Sequence, residues 1–463
     1  MELTDYSAQN PWWMGKEHIN KDKHIKELSN KKYQWHPDIL DKIELIPGNI
    51  HTLRGPRQVG KTTLVKLIIK SLLDKNIQPK SIFYATCDAL TDRYELLKLI
   101  RTYLQFKQTN NIDKTYIFLD EISGIEDWQK SIKFLVDSGE LSETCLFLTG
   151  SHTLDIKYGS ELLPGRCGKH GKNYLLLPLT FREYIKLIKP ETFKKIKPIK
   201  TLSVDEINMS INSMIPHETE LKVLFNQYMT TGGFMLPINE YFTKNTIPEY
   251  IYEIYNRWVT GDITKWGKQE KILKQVLRTA LHKQGTTLSW DSFAKDAEIK
   301  SHKTVSTYIE DLENMYVLYI QYYLDLNKKV PDYSKNKKIY FFDPFIYHLF
   351  NRTFYFKDAE ITPSLIESVA VTHFARHFTD LCTSEQWKFN DFVFYWKNKK
   401  ETDILVKTKD ALLAIEVKYQ NKITKDDLSS LYHFRKGIIM SKNTLAPDEK
   451  YSVIPAHLLL ALI

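Results

Sequence analysis

Eight consecutive residues, Gly55, Pro56, Arg57, Gln58, Val59, Gly60, Lys61 and Thr62, spell G-x-x-x-x-G-K-T between an apolar run, Ile50 to Leu53, and a helical run, Lys61 to Leu73. This phosphate-binding loop constrains the fold because it works only where a strand gives way to a helix. The two glycines let successive N–H groups point at phosphate oxygens, and the helix that follows turns its positive dipole end on the same anion. An α/β domain is therefore expected here. Lys61 is placed to neutralise the β and γ phosphates of ATP, and Thr62 to ligate Mg²⁺; Gly55 to Thr63 is the expected nucleotide-binding stretch.

A second apolar run, Tyr116 to Leu119, ends in Asp120 and Glu121. It reads as a buried parallel strand of Walker B type. Asp120 would hold Mg²⁺, and Glu121 would orient the water that attacks the γ-phosphate. A third strand, Cys145 to Thr149, runs into Gly150, Ser151 and His152. Ser151 is either a γ-phosphate sensor or part of a plain turn.

The chain has 463 residues, room for about three domains. With 43% hydrophobic and 26% charged residues it has the composition of a globular protein, which excludes extensive disorder. The net charge of +9 is concentrated in lysine-rich stretches, Lys16 to Lys32, Lys194 to Lys200, Lys328 to Lys338 and Lys397 to Lys400, which raises the expectation of a polyanionic partner. Cys87, Cys145, Cys167 and Cys382 have neither metal-ligand spacing nor a disulfide framework and fit a reducing cytosol. The polar N-terminus is unlike a signal peptide and the apolar tail Ala456 to Ile463 is too short to span a bilayer, so a soluble, cytoplasmic protein with no membrane contact is expected.

Composition shifts suggest four regions. Residues 1–44 form a basic approach segment whose Trp12 and Trp13 dock on the nucleotide domain. Residues 45–216 hold that domain, with a later strand Tyr174 to Leu177 and a lysine-rich, proline-punctuated insertion or linker, Lys189 to Pro216. Residues 217–345 are helical and then carry a helix-turn-helix pattern, Trp290 to Ala297 and Ser301 to Tyr316, the latter with the inward face Val305, Tyr308, Ile309, Leu312 and Met315. Strands Val317 to Leu324 and Lys338 to Phe342 would flank a wing tipped by Lys328, Lys329, Lys335 and Lys337. A winged helix of this kind either contacts DNA, through Ser301, His302, Lys303, Thr304 and the wing lysines, or serves as a rigid packing module.

Residues 346–463 carry a different constellation. Asp403 lies in the strand-like Thr402 to Val406, and Glu416 and Lys418 lie on one face of Leu412 to Lys418. Pairing of these strands would set two carboxylates and a lysine together, able to bind a divalent metal and act on a phosphodiester. The same spacing also suits a hairpin with an exposed ion pair. The arrangement resembles that of PD-(D/E)xK nucleases, and this resemblance adds Glu367, on the helix Ser364 to His377, as a further acidic metal ligand.

Taken together, the chain resembles a family of archaeal and bacterial AAA-like ATPases in which a P-loop core precedes a winged helix and a C-terminal PD-(D/E)xK-like domain. The residues that carry the resemblance are Trp12 and Trp13, Gly55 to Thr62, Leu119 to Glu121, Thr149 to Ser151, Gly165 and Arg166, Pro178 to Glu183, Gly232 to Phe234, Tyr340 to Asp343, and Asp403 with Glu416 and Lys418. Met235 and Leu236, between Gly-Gly-Phe and Pro237, depart from the family, which has proline directly after the aromatic. The implied fold is an α/β P-loop AAA-like core with a parallel sheet, a helical and winged-helix domain, and an α/β restriction-endonuclease-like C-terminal domain. The implied activity is ATP hydrolysis with ATP and Mg²⁺ in a homo-oligomer, where Arg166 would complete a neighbouring subunit's site. Two functions follow: a motor or switch on duplex or branched DNA whose last domain grips or cuts it, or a signal-transducing NTPase whose last domain binds a protein.

Overall fold

The structure, a computed structural model, describes residues 3–150, 168–355, 360–383, 387–408 and 411–463. Ser151, Gly165, Arg166 and Cys167 lie outside the described residues. The chain divides into two compact units, Met1–Leu177 and Pro178–Cys382 with Gln386–Ile463. The expected end of the nucleotide domain at residue 216 therefore falls inside the second unit.

In the first unit, β1 (Ile50–Arg54), β2 (Ile82–Thr86), β3 (Thr115–Asp120), β4 (Thr144–Thr149) and β5 (Asn173–Leu175) form a parallel sheet in the order β2-β3-β4-β1-β5. Its central strands are buried along their whole length, which is why they read as continuous apolar runs rather than alternating ones. Phe83, Ile117, Leu119, Leu146 and Leu148 pack with Leu96 and Ile100 of the helix Arg93–Thr109 and Ile132 and Leu135 of the helix Trp128–Asp137.

The N-terminal segment docks on the outer edge of β2, as expected for its tryptophans. The Asn10 side chain acts as a strand partner: its Nδ2 donates to Tyr84 O at 2.8 Å and its Oδ1 accepts from Tyr84 N at 2.7 Å. Gln9 Oε1 accepts from Thr86 N at 3.0 Å, while Trp12 and Trp13 both donate Nε1–H to Ile82 O. The polar edge of β2 is thereby satisfied without a further strand.

In the second unit, residues 189–216 are not a linker. They form the helices Pro190–Phe193 and Val204–Asn212, with Ser203 capping the second and Val204, Ile207 and Ile211 buried. Lysines and prolines around it disguise this short apolar stripe. Longer helices follow at Glu218–Thr231, Met235–Lys244, Glu249–Lys265 and Glu270–Lys283, then a shorter pair, Trp290–Asp296 and His302–Asn314. Val305, Tyr308, Ile309, Leu312 and Met315 are buried as the periodicity predicts.

The second sheet comprises β6 (Leu318–Asp325), β7 (Val330–Asp332), β8 (Lys338–Phe341), β9 (Val393–Lys397), β10 (Glu401–Lys407), β11 (Leu412–Lys418), β12 (Gly437–Ser441) and β13 (Tyr451–Pro455). Their order is β13-β12-β11-β10-β9-β6-β7, with β8 also on β6. β6 pairs with β8 through Leu318 to Gln321 and with β9 through Tyr322 and Tyr323. The boundary expected at 345/346 therefore runs through one continuous sheet.

Three short motifs converge inside this unit. Gly233 N–H donates to Asp343 Oδ2 at 2.9 Å, and a Cβ on Gly232, whose φ is +59, would lie 1.9 Å from Asp343 Oδ1. Arg376, buried on the helix Pro363–Arg376, donates to Pro178 O and Phe342 O and sits 3.8 Å from Asp343. Burial raises the Asp343 carboxyl to about 6 despite Arg376. Pro178 to Glu183, Gly232 to Phe234 and Tyr340 to Asp343 thus meet as a structural junction. The inserted Met235 and Leu236 simply begin the helix Met235–Lys244.

Candidate functional site

Gly55 to Gly60 joins β1 to the helix Lys61–Asp74, as the motif requires. A Cβ on Gly55 would lie 2.1 Å from Leu176 O, so only glycine lets the loop pass β5's exit. Gln58 and Gly60 take φ of +61 and +104, which curls the loop before the helix starts. Lys61 is buried, and its ammonium donates to Gly55 O at 3.0 Å and Pro56 O at 2.9 Å, within the concavity of the loop.

Parallel pairing of β3 with β4 and of β4 with β1 brings the C-terminal ends of these strands together. Asp120 is the meeting point. Its Oδ2 accepts from Thr62 Oγ1 at 2.7 Å and from Tyr84 OH at 3.0 Å, and its Oδ1 accepts from Thr149 Oγ1. The Thr149 hydroxyl also accepts from Glu121 N at 3.2 Å, and Glu121 turns there with φ +56, a backbone conformation uncommon outside glycine. Hydroxyl and carboxylate oxygens side by side, Thr62 with Asp120, are the donor type that Mg²⁺ takes beside a nucleotide, so these residues fit the ion.

Behind this cluster, Lys66 is buried 3.1 Å from Asp22, with its ammonium 3.3 Å from the Tyr84 ring centroid. Burial lowers its pKa against the pull of Asp22. Burial, then Asp120 beside it, pushes the Tyr84 hydroxyl far up, which keeps it a neutral donor. Sequence reasoning missed Tyr84 as a partner of Asp120 and assigned Thr149 no task of its own; no local pattern joins residues on separate strands. Cys87, Cys145 and Cys382 are buried free thiols, and burial raises Cys145 to about 12.

The C-terminal candidates also come together. The register Ile404↔Ile415 sets Asp403 beside Glu416, and Asp403 Oδ2 accepts from Val417 N at 3.0 Å. Lys418 Nζ lies 2.6 Å from Glu416 Oε1, and Glu367 Oε1 accepts from Tyr340 OH at 2.6 Å. Two further residues, absent from the sequence-based expectation, enter the cluster. Lys338 has its ammonium 2.6 Å from Glu401, 2.9 Å from Glu367 and 3.3 Å from Asp403. Glu401 alternates with Asp403 along β10 and was legible to that extent; nothing in the sequence brings Lys338 to β10. Burial, then the Asp403 charge, raises both Glu367 and Glu416 to about 7. Among the described residues no group of three or more His, Cys, Asp or Glu side chains is arranged to hold a metal ion. Lys338 thus stands among the carboxylates from which a metal site was expected, with Glu367 and Asp403 within 3.3 Å of its ammonium.

Of the expected DNA-contacting residues, Ser301, His302 and Lys303 are exposed and Thr304 partly so, at the start of the helix His302–Asn314. The Ser301 hydroxyl caps that helix by accepting from Thr304 N, and His302 Nδ1 lies 3.0 Å from Asp291. Lys328, Lys329 and Lys335 are exposed around β7. Lys337 is not at a tip: its backbone bridges to Leu288, and its buried side chain lies over the Trp290 ring at 5.1 Å. Among the described residues no helix is long and apolar enough to cross a membrane.

Residues 47–185 match the family described as an AAA domain, and residues 222–354 and 365–459 match two domains of unknown function (DUF8612 and DUF4143). An uncharacterised protein of Methanocaldococcus jannaschii is 26% identical over 319 residues, 67% of this chain and 64% of its own length. One of Haemophilus influenzae is 24% identical over 303 residues, 63% of this chain and 66% of its own. The alignments thus span slightly under two-thirds of each relative. The Walker-type ATPase of Pyrococcus abyssi superposes with a TM-score of 0.39 at 12% identity, covering 65% of this chain and 91% of that one. The AAA match falls on the strands and loops that bring Lys61, Thr62, Asp120 and Thr149 together, and the protein carries an AAA-like P-loop ATPase domain.

Proposed function

We propose that this protein is an ATP-driven switch or motor acting on duplex or branched DNA, in which the second sheet grips DNA and does not cut it. Lys61 leaves the loop carbonyls to take the β and γ phosphates, Thr62 and Asp120 hold the nucleotide's Mg²⁺, and Glu121 orients the attacking water. The bound ion would neutralise phosphate charge. Arg166 is assigned, through the family resemblance, to a neighbouring subunit's site in a homo-oligomer, with Ser151 as phosphate sensor.

The observation that carries the DNA reading is the exposed set Lys328, Lys329 and Lys335 on a hairpin whose base is tied to the helix Trp290–Asp296 through Leu288 and Lys337. Basic side chains fixed beside a short helix pair match winged-helix contacts with DNA backbone. The test measures phosphate release with no DNA, linear duplex and four-way junctions. DNA should stimulate turnover, and Lys328→Gln/Lys329→Gln/Lys335→Gln should weaken binding about equally on unrelated sequences while reducing the salt slope by about 2–3. Turnover indifferent to every DNA, with no salt-dependent binding, would leave the NTPase of signal-transducing type.

A further inference from the structure

Lys338 is the least expected member of the second sheet's cluster. Its side chain is 1% exposed, and three carboxylates from two elements surround its ammonium: Glu401 and Asp403 of β10 at 2.6 and 3.3 Å, and Glu367 of the helix Pro363–Arg376 at 2.9 Å. The ammonium donates to Glu367 Oε1 and Asp403 Oδ1, and Glu401 completes the ring as an ion pair. The remaining bonds fit the same arrangement, with Asp403 Oδ2 on Val417 N, Glu367 Oε1 on Tyr340 OH and Glu416 Oε1 on Lys418.

We infer that Lys338 is a tethered cation that takes the place of a divalent metal, so the carboxylate cluster is complete without metal and becomes a divalent-cation site only when Lys338 is removed. Burying several carboxylates together requires compensating positive charge, which a protein supplies with a metal or with its own side chains. Here the side chain is built into β8, upstream of the strands that carry the acids. Mg²⁺ requires oxygens at about 2.0–2.1 Å in octahedral array, and an ion at the focus of these three carboxylates would overlap the ammonium. This inference concerns the cluster alone and stands or falls independently of DNA binding.

The experiment titrates Mn²⁺ into the full chain without nucleotide, following free Mn²⁺ by electron paramagnetic resonance, for wild type, Asp403→Asn, Lys338→Met and Lys338→Met/Asp403→Asn. Methionine keeps the aliphatic reach and drops the charge. Any ion at Thr62 and Asp120 contributes equally to all four. Wild type and Asp403→Asn should bind the same number of ions, Lys338→Met one more per chain, and the double variant should lose it. Thermal melting supplies the second readout: Lys338→Met should melt more than about 5 °C below wild type and recover at least half of this with Mn²⁺, while wild type should not respond. A wild-type ion lost in Asp403→Asn, a folded Lys338→Met that gains none, or a variant unfolded at every Mn²⁺ concentration would overturn the inference.

Discussion

One hydroxyl, that of Thr149, gives its proton to Asp120 and accepts the N–H of Glu121, so it fixes both the carboxylate that faces Thr62 and the backbone turn that aims Glu121. Thr149→Val keeps the shape and removes both bonds. Phosphate release should fall about 10- to 100-fold, corresponding to about 1.4–2.7 kcal/mol at the transition state, while nucleotide affinity measured by titration changes less than about threefold. Lys61→Ala should instead abolish binding and turnover together, and Glu121→Gln should bind ATP and hold it unhydrolysed; normal hydrolysis by Glu121→Gln would remove it from the role of orienting water. Lys61, Thr62, Asp120 and Glu121 were legible in the sequence because each belongs to a contiguous motif at a strand end. Tyr84 and the task of Thr149 were not, because their partnership with Asp120 exists only once β2, β3 and β4 are in register.

Elements show the same division. The parallel strands were readable from unbroken apolar runs, whereas the helix Val204–Asn212 was hidden by the charged and proline-rich residues around it. The N-terminal segment was readable as a docking piece through its tryptophans, but not as the substitute strand partner that Asn10 makes it. Asn10→Ala would leave Tyr84 N–H and C=O without those bonds at a buried edge, costing about 2–4 kcal/mol, measurable as a lower urea midpoint, with increased aggregation as β2 becomes available for pairing. The second sheet should respond to pH. Glu367 and Glu416 lie at about 7 when folded against an ordinary 4.5, so the folded protein holds protons that the unfolded chain has released between these values. Both share Asp403 as neighbour and titrate as a set. Their stabilising contribution is complete below about pH 4.5 and is lost as pH rises through about 7, by roughly 1–3 kcal/mol. Urea midpoints should fall from pH 5 to pH 8, and Glu416→Gln should flatten that fall.

At the scale of the whole molecule, the short motifs that carried the family resemblance separate by task. In the first unit, Gly55 to Thr62, Leu119 to Glu121 and Thr149 meet at the phosphate-binding loop, while Trp12 and Trp13 hold the N-terminal segment on β2. Pro178 to Glu183, Gly232 to Phe234 and Tyr340 to Asp343 lock the second unit together through Arg376, and Arg376→Met should cost about 3–5 kcal/mol by leaving Asp343 buried without its partner, read as loss of the cooperative melt of that unit. The order of such motifs along the chain is visible in the sequence; that they meet at one point is a property of packing. Asp403 and Glu416 were foreseeable from strand alternation, but Lys338 reaches them only because β6 turns from β8 to β9 partway along its length. That shared strand bears on autonomy. A fragment beginning at residue 346 would lack β6, leaving Phe394 and Tyr395 on an open edge, and would also lack the ammonium that balances Glu367, Glu401 and Asp403. The last hundred or so residues are therefore not a cassette that could be transplanted between proteins by themselves; whatever they hold, they inherit half of its electrostatics from the segment before them.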